Sequence, residues 1–508
     1  MNYVPVLIAT SFTAITLAQG TSPDPLAPRP NGMQSATPSK HILMGGTIHL
    51  SPTQTYNADA HPAIFFEHGV ITNIIADTRL VDLDTQGYQV HELDPNTHIY
   101  AGFIDPYIEV DAPMPPSNAV GTHWSNKITP QRDALDIGLG SDAAKSLREL
   151  GFTSAMIAPD SGIFRGWSAV VSTASDFTDD SLGDPPTYKA HAGMMMGFDR
   201  GSWPDPGYPT SHMGVVAMMR QTFIDAAHRG QSEKNDANCL DEIDPNTSTL
   251  FYETNQELES LLADNIATEL DHPNLVIIDN GTAHRRLSAF KDMGHAIITP
   301  LQFPKTPEVF TVGGADSVDL ATLQHWERAP ANARWLHNSG LTVALTTSKG
   351  NDHDKFWDNL HTAIEKGLPA SDALAMITTN PAKILDLSNQ GALAKGNLAN
   401  LVIASDDLFD PNVDAEIIDL YIDGRRHHIN DKDNTRFDGN WTIDLVGIPF
   451  QLNMDIDGKA IEITTELDDN VDKARKVNID NNQISFLTSD QGQGTNVITG
   501  TLSSDGII

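Results

Sequence analysis

Ala101-Gly102-Phe103-Ile104-Asp105-Pro106-Tyr107-Ile108-Glu109 is the stretch whose reading decides the fold. Its apolar start, Ala101 to Ile104, has the length and composition of a short buried strand, and it ends in a carboxylate. Downstream to about residue 390, runs of the same kind recur at 154–158, 275–278, 296–298 and 342–345, with helical segments such as 142–150 and 356–366 between them. Strands and helices alternating at that spacing build βα units on a parallel sheet, and a barrel of eight such units fits the length.

Working outward, residues 41–100 change character. Short apolar stretches at 42–44, 63–66 and 70–75 are broken by Gly and Asn, as antiparallel strands and turns require. Strand signals return at 399–403 and 417–422, followed by the turn Asp423-Gly424-Arg425, and these complete the first β unit. From residue 436 to 508 the chain alternates at period two, as in Trp441-Thr442-Ile443-Asp444-Leu445, which predicts a separate antiparallel module. The expected fold is therefore α/β: a TIM-like (β/α)8 barrel over 101–390, a composite β-sandwich from 41–100 plus 391–430, and a C-terminal antiparallel β module.

The first 18 residues are apolar and uncharged, with Thr16 and Ala18 spaced for cleavage before Gln19, so they are expected to be an export signal to the periplasm or beyond. A Pro-rich linker occupies 19–40, and no stable membrane span is expected once the signal is removed. The formal charge of −35 argues against nucleic acid as a partner, because phosphate binding draws on clustered Lys and Arg. Cys239 is the one cysteine, so an internal disulfide and a cysteine metal cage are both excluded.

Residues 101–109 resemble the opening of the amidohydrolase superfamily, Pro-Gly-Phe-Ile-Asp-x-His-x-His, at the end of the first barrel strand. Gly-Thr-Ile at 46–48, Glu67-His68-Gly69-Val70-Ile71, Thr378-Thr379-Asn380-Pro381-Ala382 and Gly396-Asn397-Leu398-Ala399-Asn400-Leu401-Val402 support the resemblance, which runs from about 41 to 430. It is similar to secreted, imidazolonepropionase-like members. The resemblance implies a metal-dependent hydrolase of non-peptide C–N bonds in small, cyclic amide-like molecules, using zinc or another divalent metal. Its two opening histidines fall on Tyr107 and Glu109, and its last-strand aspartate falls on Ser348. A phenol is a poor zinc ligand beside imidazole, and one carboxylate cannot complete the shell. No barrel metal and no cofactor are expected.

The candidate pocket comprises Asp105, Tyr107, Glu109, Asp160, Arg165 and Ser348. Residues 158–171 follow a strand and read as a loop at the catalytic face, where Asp160 and Arg165 either pair with each other or meet a ligand. A structural role is the default for Asp105. In 208–223, Met213, Val216, Ala217 and Arg220 recur at helical spacing and are read as the packed face. Histidines 284, 295, 325, 337, 353, 361, 427 and 428 are read as surface or capping residues. Two functions stay open: an exported C–N hydrolase, or a catalytically inactive relative that binds a small molecule or pairs with an active amidohydrolase chain.

Overall fold

A computed structural model describes residues 40–430 apart from 82, 117–118, 175–185, 201–206, 232–235, 244–248, 273, 310 and 350–354, together with strand backbone between 439 and 507. The expected signal and most of the linker lie outside the described residues.

The chain enters with β1 (Lys40–Met44), β2 (Thr47–Ser51), β3 (Gln54–Tyr56), β4 (Ala63–Glu67), β5 (Val70–Ile75), β6 (Gln89–Glu92) and β7 (His98–Ala101). It continues through β8 (Phe103–Val110), β9 (Phe152–Pro159), β10 (Phe164–Ser172), β11 (Thr187–Gly197), β12 (Leu250–Glu253), β13 (Leu275–Ile278), β14 (Ala296–Pro300) and β15 (Val343–Thr346). It returns with β16 (Leu401–Ala404), β17 (Ile417–Ile422) and β18 (Arg425–His428).

Strands β8 to β15 form one eight-stranded sheet in chain order, the wall of a TIM-like barrel. Seven of its strands are parallel, and β10 runs antiparallel between β9 and β11. The loop expected at 158–171 is thus mostly strand, with only 160–163 turning. Gly162 and Gly166 gave it the composition of a loop, whereas Phe164 and 169–171 are buried like any barrel wall. A hairpin carries no crossover helix, and the segment before Ser141–Glu149 takes its place: Ile128 and Asp133 bridge to Phe164 and Trp167, and Ile128, Ala134 and Leu139 are buried against the wall. Buried runs such as Leu275–Ile278 suit a parallel sheet covered on both faces.

Helix His212–Gly230 is capped by Ser211, whose Oγ accepts from the Gly214 N–H at 3.2 Å. Its buried face is Val215, Met219, Thr222, Phe223 and Ala226. The expected face is the wrong one, since Met213 is 84% exposed and Ala217 and Arg220 also face out, Val216 alone being buried. Two residues are about 200° apart on a helix of 3.6 residues per turn, so a face phased on 213 points opposite to one phased on 215.

The flanks form a four-stranded sheet, β5-β4-β1-β6, and a six-stranded sheet, β18-β17-β16-β7-β2-β3. The second interleaves strands from both ends of the barrel, with Leu401 opposite Ala101. Leu43, Ile48, Ile64, Phe66, Ile99, Leu401 and Tyr421 pack between them. Gly102 separates the last flank strand from the first barrel strand, so the run 101–104 spans two sheets. A Cβ there would meet Thr153 Oγ1 at 2.2 Å, and glycine alone lets the sheets approach. Beyond residue 438, β19 (Gly439–Leu445), β20 (Ile448–Asp457), β21 (Ala460–Leu467) and β22 (Asn470–Lys473) form one antiparallel sheet. β23 (Arg475–Asp480), β24 (Gln483–Asp490), β25 (Gly494–Ser503) and β26 (Gly506–Ile507) form another, as period two predicts.

Candidate functional site

The barrel closes where β8 meets β15, and Asp105 makes the seam. Fully buried, its carboxylate accepts from the Tyr107 N–H at 3.0 Å, Thr346 Oγ1 at 2.7 Å, the Thr347 N–H at 2.9 Å and Thr347 Oγ1 at 2.7 Å. Burial pushes the Asp105 carboxyl up, and these four donors act against the rise. All four donors come from β8 and the end of β15.

Above the seam, side chains from five strand ends converge. Tyr107 is buried and its hydroxyl donates to Glu109 Oε1 at 2.7 Å. Glu109 Oε1 lies 3.9 Å from Arg165 Nη1. Because β10 runs antiparallel, its first residues lie at this end of the barrel, and they deliver Arg165, 3% exposed. Its Nη1 donates to Glu253 Oε2 at the end of β12, its Nη2 lies 3.3 Å from Asp199 Oδ1, and its Nε donates to Gly162 O at 3.2 Å. The guanidinium lies against Gly197, where a Cβ would come 2.4 Å from Nη2. From the far side of the mouth, Lys349 Nζ comes within 2.5 Å of Glu253 Oε1 and donates to Thr254 O at 3.3 Å. Lys349 holds φ 62, a conformation that a non-glycine residue adopts only when its surroundings demand it.

Glu253 is therefore a carboxylate clamped between two cations. Burial alone would raise it, but Arg165 and Lys349 together hold it down at about 2. Glu109 moves the other way, raised by burial and by the Glu253 charge, with the Tyr107 hydroxyl opposing. Burial and the nearby Glu253 push the Tyr107 phenol well above its ordinary value.

The donor set does not suit a divalent ion. Tyr107 holds its proton, Glu253 is occupied by two cations, and those cations sit among the carboxylates a metal would need. Among the described residues, no group of three or more His, Cys, Asp or Glu side chains is placed to hold a metal. His295 and His337 pair with Asp264 and Asp372, His361 Nε2 meets Leu408 O, His428 meets Asp419 and His284 stacks on His325. His353 lies outside the described residues.

Of the sequence candidates, Tyr107, Glu109 and Arg165 come together. Asp160 does not join Arg165: it pairs with Arg132 at 3.1 Å, whose guanidinium also donates to Ser161 O and Ala112 O. The strand start carries Arg165 inward while Asp160 stays on the turn outside. Ser348 follows β15; its N–H donates to Thr346 Oγ1 at 3.1 Å, and it lines a cavity of about 620 Å³ between the ends of β14 and β15 and the helix Phe356–Glu365. Sequence reasoning missed Glu253, Lys349 and Asp199. The run Leu250-Phe251-Tyr252-Glu253 has the form of a strand ending in a charge, the signal that marks the mouth in 103–109, and Lys349 directly follows Ser348.

The family model described as "Amidohydrolase family" matches residues 327–427. No curated protein matches the sequence. Among solved structures, an amidohydrolase from Thermotoga maritima aligns with 18% identity over 76% of this chain and 98% of its own, at a TM-score of 0.58. A prolidase complexed with N-methylphosphonate-L-proline aligns at 13% identity over 77% and 99%, TM-score 0.47. A phenylurea hydrolase B aligns at 12% identity over 77% and 97%, TM-score 0.43. The matched segment carries β16 and β17 back from the barrel into the flanking sheet, and the barrel has the fold of the Thermotoga amidohydrolase: residues 327–427 match the amidohydrolase family model, and the chain shares the amidohydrolase fold.

Proposed function

We propose that this chain is an amidohydrolase-fold protein that has exchanged the superfamily's metal-dependent hydrolysis for ligand binding at the barrel mouth. The observation that carries this is Glu253 clamped by Arg165 and Lys349. Two fixed positive charges already pair with the mouth's carboxylates, so a divalent cation would have to displace Arg165 or Lys349 to reach Glu253. Tyr107, Glu109 and Ser348 at the positions of the family's ligands agree with that reading. The apolar leader makes the site of action an exported one.

A hydrolase of C–N bonds in small cyclic amide-like molecules is the second reading, and Glu109 favours it. A carboxyl that burial and the Glu253 charge raise above its ordinary value has the character of a general base.

Elemental mass spectrometry on protein purified in the presence of zinc, manganese, iron and nickel decides between them. The expected result is metal far below one equivalent and no hydrolysis of cyclic amides. Near-stoichiometric metal that disappears in Glu109→Ala would overturn the proposal and restore the hydrolase.

A further inference from the structure

In the six-stranded flanking sheet a chain of hydrogen bonds links Thr55, His49, His98, Tyr100 and Asp407, and hydrogen-bond accounting fixes where its protons lie. The Tyr100 hydroxyl has one proton and gives it to Asp407 Oδ1 at 2.8 Å, so toward the Leu408 N–H and His98 Nδ1, each at 3.2 Å, it accepts. His98 therefore carries its proton on Nδ1, and the same N–H meets His49 Nε2, 3.0 Å away, which has to be bare to receive it. The proton of His49 then lies on Nδ1, against Thr55 Oγ1 at 3.3 Å. Both rings are neutral in this arrangement. A proton added to His49 goes on Nε2, where it sets two N–H groups head to head. The pair stands where the backbone attachment of β2 stops. The parallel ladder from β2 to β7 joins Thr47 to His98 and Ile48 to Ile99 and ends there, and β3 beyond it is the edge of the sheet. Past Ile48 the hairpin of β2 and β3 is held by buried Leu50, whose carbonyl accepts from the Leu393 N–H at 2.8 Å, and by His49. Among the described residues, the charged groups that face the pair are Asp406 and Asp407, just past β16, while β3 brings the Thr55 hydroxyl.

We propose that the His49–His98 pair is an acid-operated latch: at neutral pH it holds the β2–β3 hairpin to the sheet, and in mild acid His49 takes up a proton and the hairpin swings free while the barrel stays closed. Burial, then the His98 ring, hold His49 down at about 4 against the pull of Asp407, and burial lowers His98 with both aspartates opposing. Freed into water, His49 returns to its ordinary 6.5, so acid favours the free hairpin from about pH 6.5 down to about 4. At pH 5 the gain in the open population is on the order of tenfold. The barrel seam does not share this sensitivity, because the donors to Asp105 are peptide N–H groups and threonine hydroxyls, which keep their protons throughout. Release bares the edge of β7, a row of backbone groups open to another strand. The latch does not depend on what the barrel mouth binds.

Hydrogen–deuterium exchange of the full chain at pH 7 and pH 5, corrected for the intrinsic pH dependence of amide exchange, is the test. A second pair, His41 Nδ1 and His91 Nε2 at 3.3 Å, titrates on the other flanking sheet, so two variants assign the effect. The expected result is that peptides covering 47–56 lose about tenfold in protection at pH 5, while those covering 275–278 keep theirs. His49→Phe, which keeps the ring on Tyr100, and His98→Gln, whose amide oxygen accepts from a protonated His49, are both expected to leave 47–56 equally protected at the two pH values. Unchanged protection in the parent chain, a loss that persists in both variants, a hairpin already unprotected at pH 7 in both, or loss in the hairpin and the barrel together would each overturn the latch.

Discussion

Glu253 answers two cations with one carboxylate, so removing it leaves Arg165 and Lys349 facing each other in a buried mouth. Breaking a buried pair in this way costs about 3–5 kcal/mol, whereas replacing every partner with apolar groups is often near neutral. Glu253→Gln is expected to lower stability by about 3 kcal/mol, read as a shift in the urea midpoint. Glu253→Gln combined with Lys349→Met removes one of the two stranded cations and leaves Arg165 its partner Asp199, so it is expected to recover part of the loss; a double variant weaker than the single would contradict the clamp. The pH dependence has a definite sign. With a folded pKa of about 2 against an ordinary value of 4.5, Glu253 contributes stability that is fully present above about pH 4.5 and is lost as pH falls toward 2. Gly197→Ala is expected to push the Arg165 guanidinium away from Asp199 and Glu253, and a crystal structure with Arg165 unmoved would contradict the packing role given to that glycine.

In the flanking sandwich, β2 and β7 bring His49 Nε2 within 3.0 Å of His98 Nδ1, and His49 stacks on Tyr100, whose hydroxyl donates to Asp407 at 2.8 Å. Burial, then the neighbouring His98, lowers His49 to about 4, with Asp407 opposing. The unfolded chain, with a histidine near 6.5, takes up the proton first, so this contribution is fully present above about pH 6.5 and is lost as pH falls to about 4. His49→Phe keeps the stack and removes the titration. The drop in urea midpoint between pH 7 and pH 5 is expected to be smaller than in the parent chain, and an unchanged drop would count against the pair. Elements of this kind were legible in the sequence to different degrees. Leu275–Ile278 is a continuous apolar run and was readable residue for residue, and the barrel, the flanking β units and the period-two module were readable as architecture. The strand at Phe164–Ser172 was not, because two glycines in its first half imitate a turn and its partner Thr187–Gly197 begins with polar residues. With that strand hidden, Arg165 read as a loop residue, and its three acidic partners, Glu109, Asp199 and Glu253, which lie at separate places along the chain, gave no local pattern to find.

Across the whole molecule, the net charge of −35 makes the folded chain repel itself. Mobile ions screen exposed charges over about 10 Å at 0.1 M salt, and less far as salt rises. The melting temperature is therefore expected to rise between 10 mM and 500 mM sodium chloride, and a fall would show that screened attractions, the ion pairs, outweigh the repulsion. The six-stranded flanking sheet has a consequence in time as well as in space. His98–Ala101 lies against Leu401–Ala404, so a strand made early in synthesis waits about three hundred residues for the neighbour that completes its sheet. During that wait β2 and β7 present an open edge, and the barrel is assembled before its clasp can shut. Pairing over so long a stretch is slow, and until the second strand arrives that edge stays open to pairing with other chains.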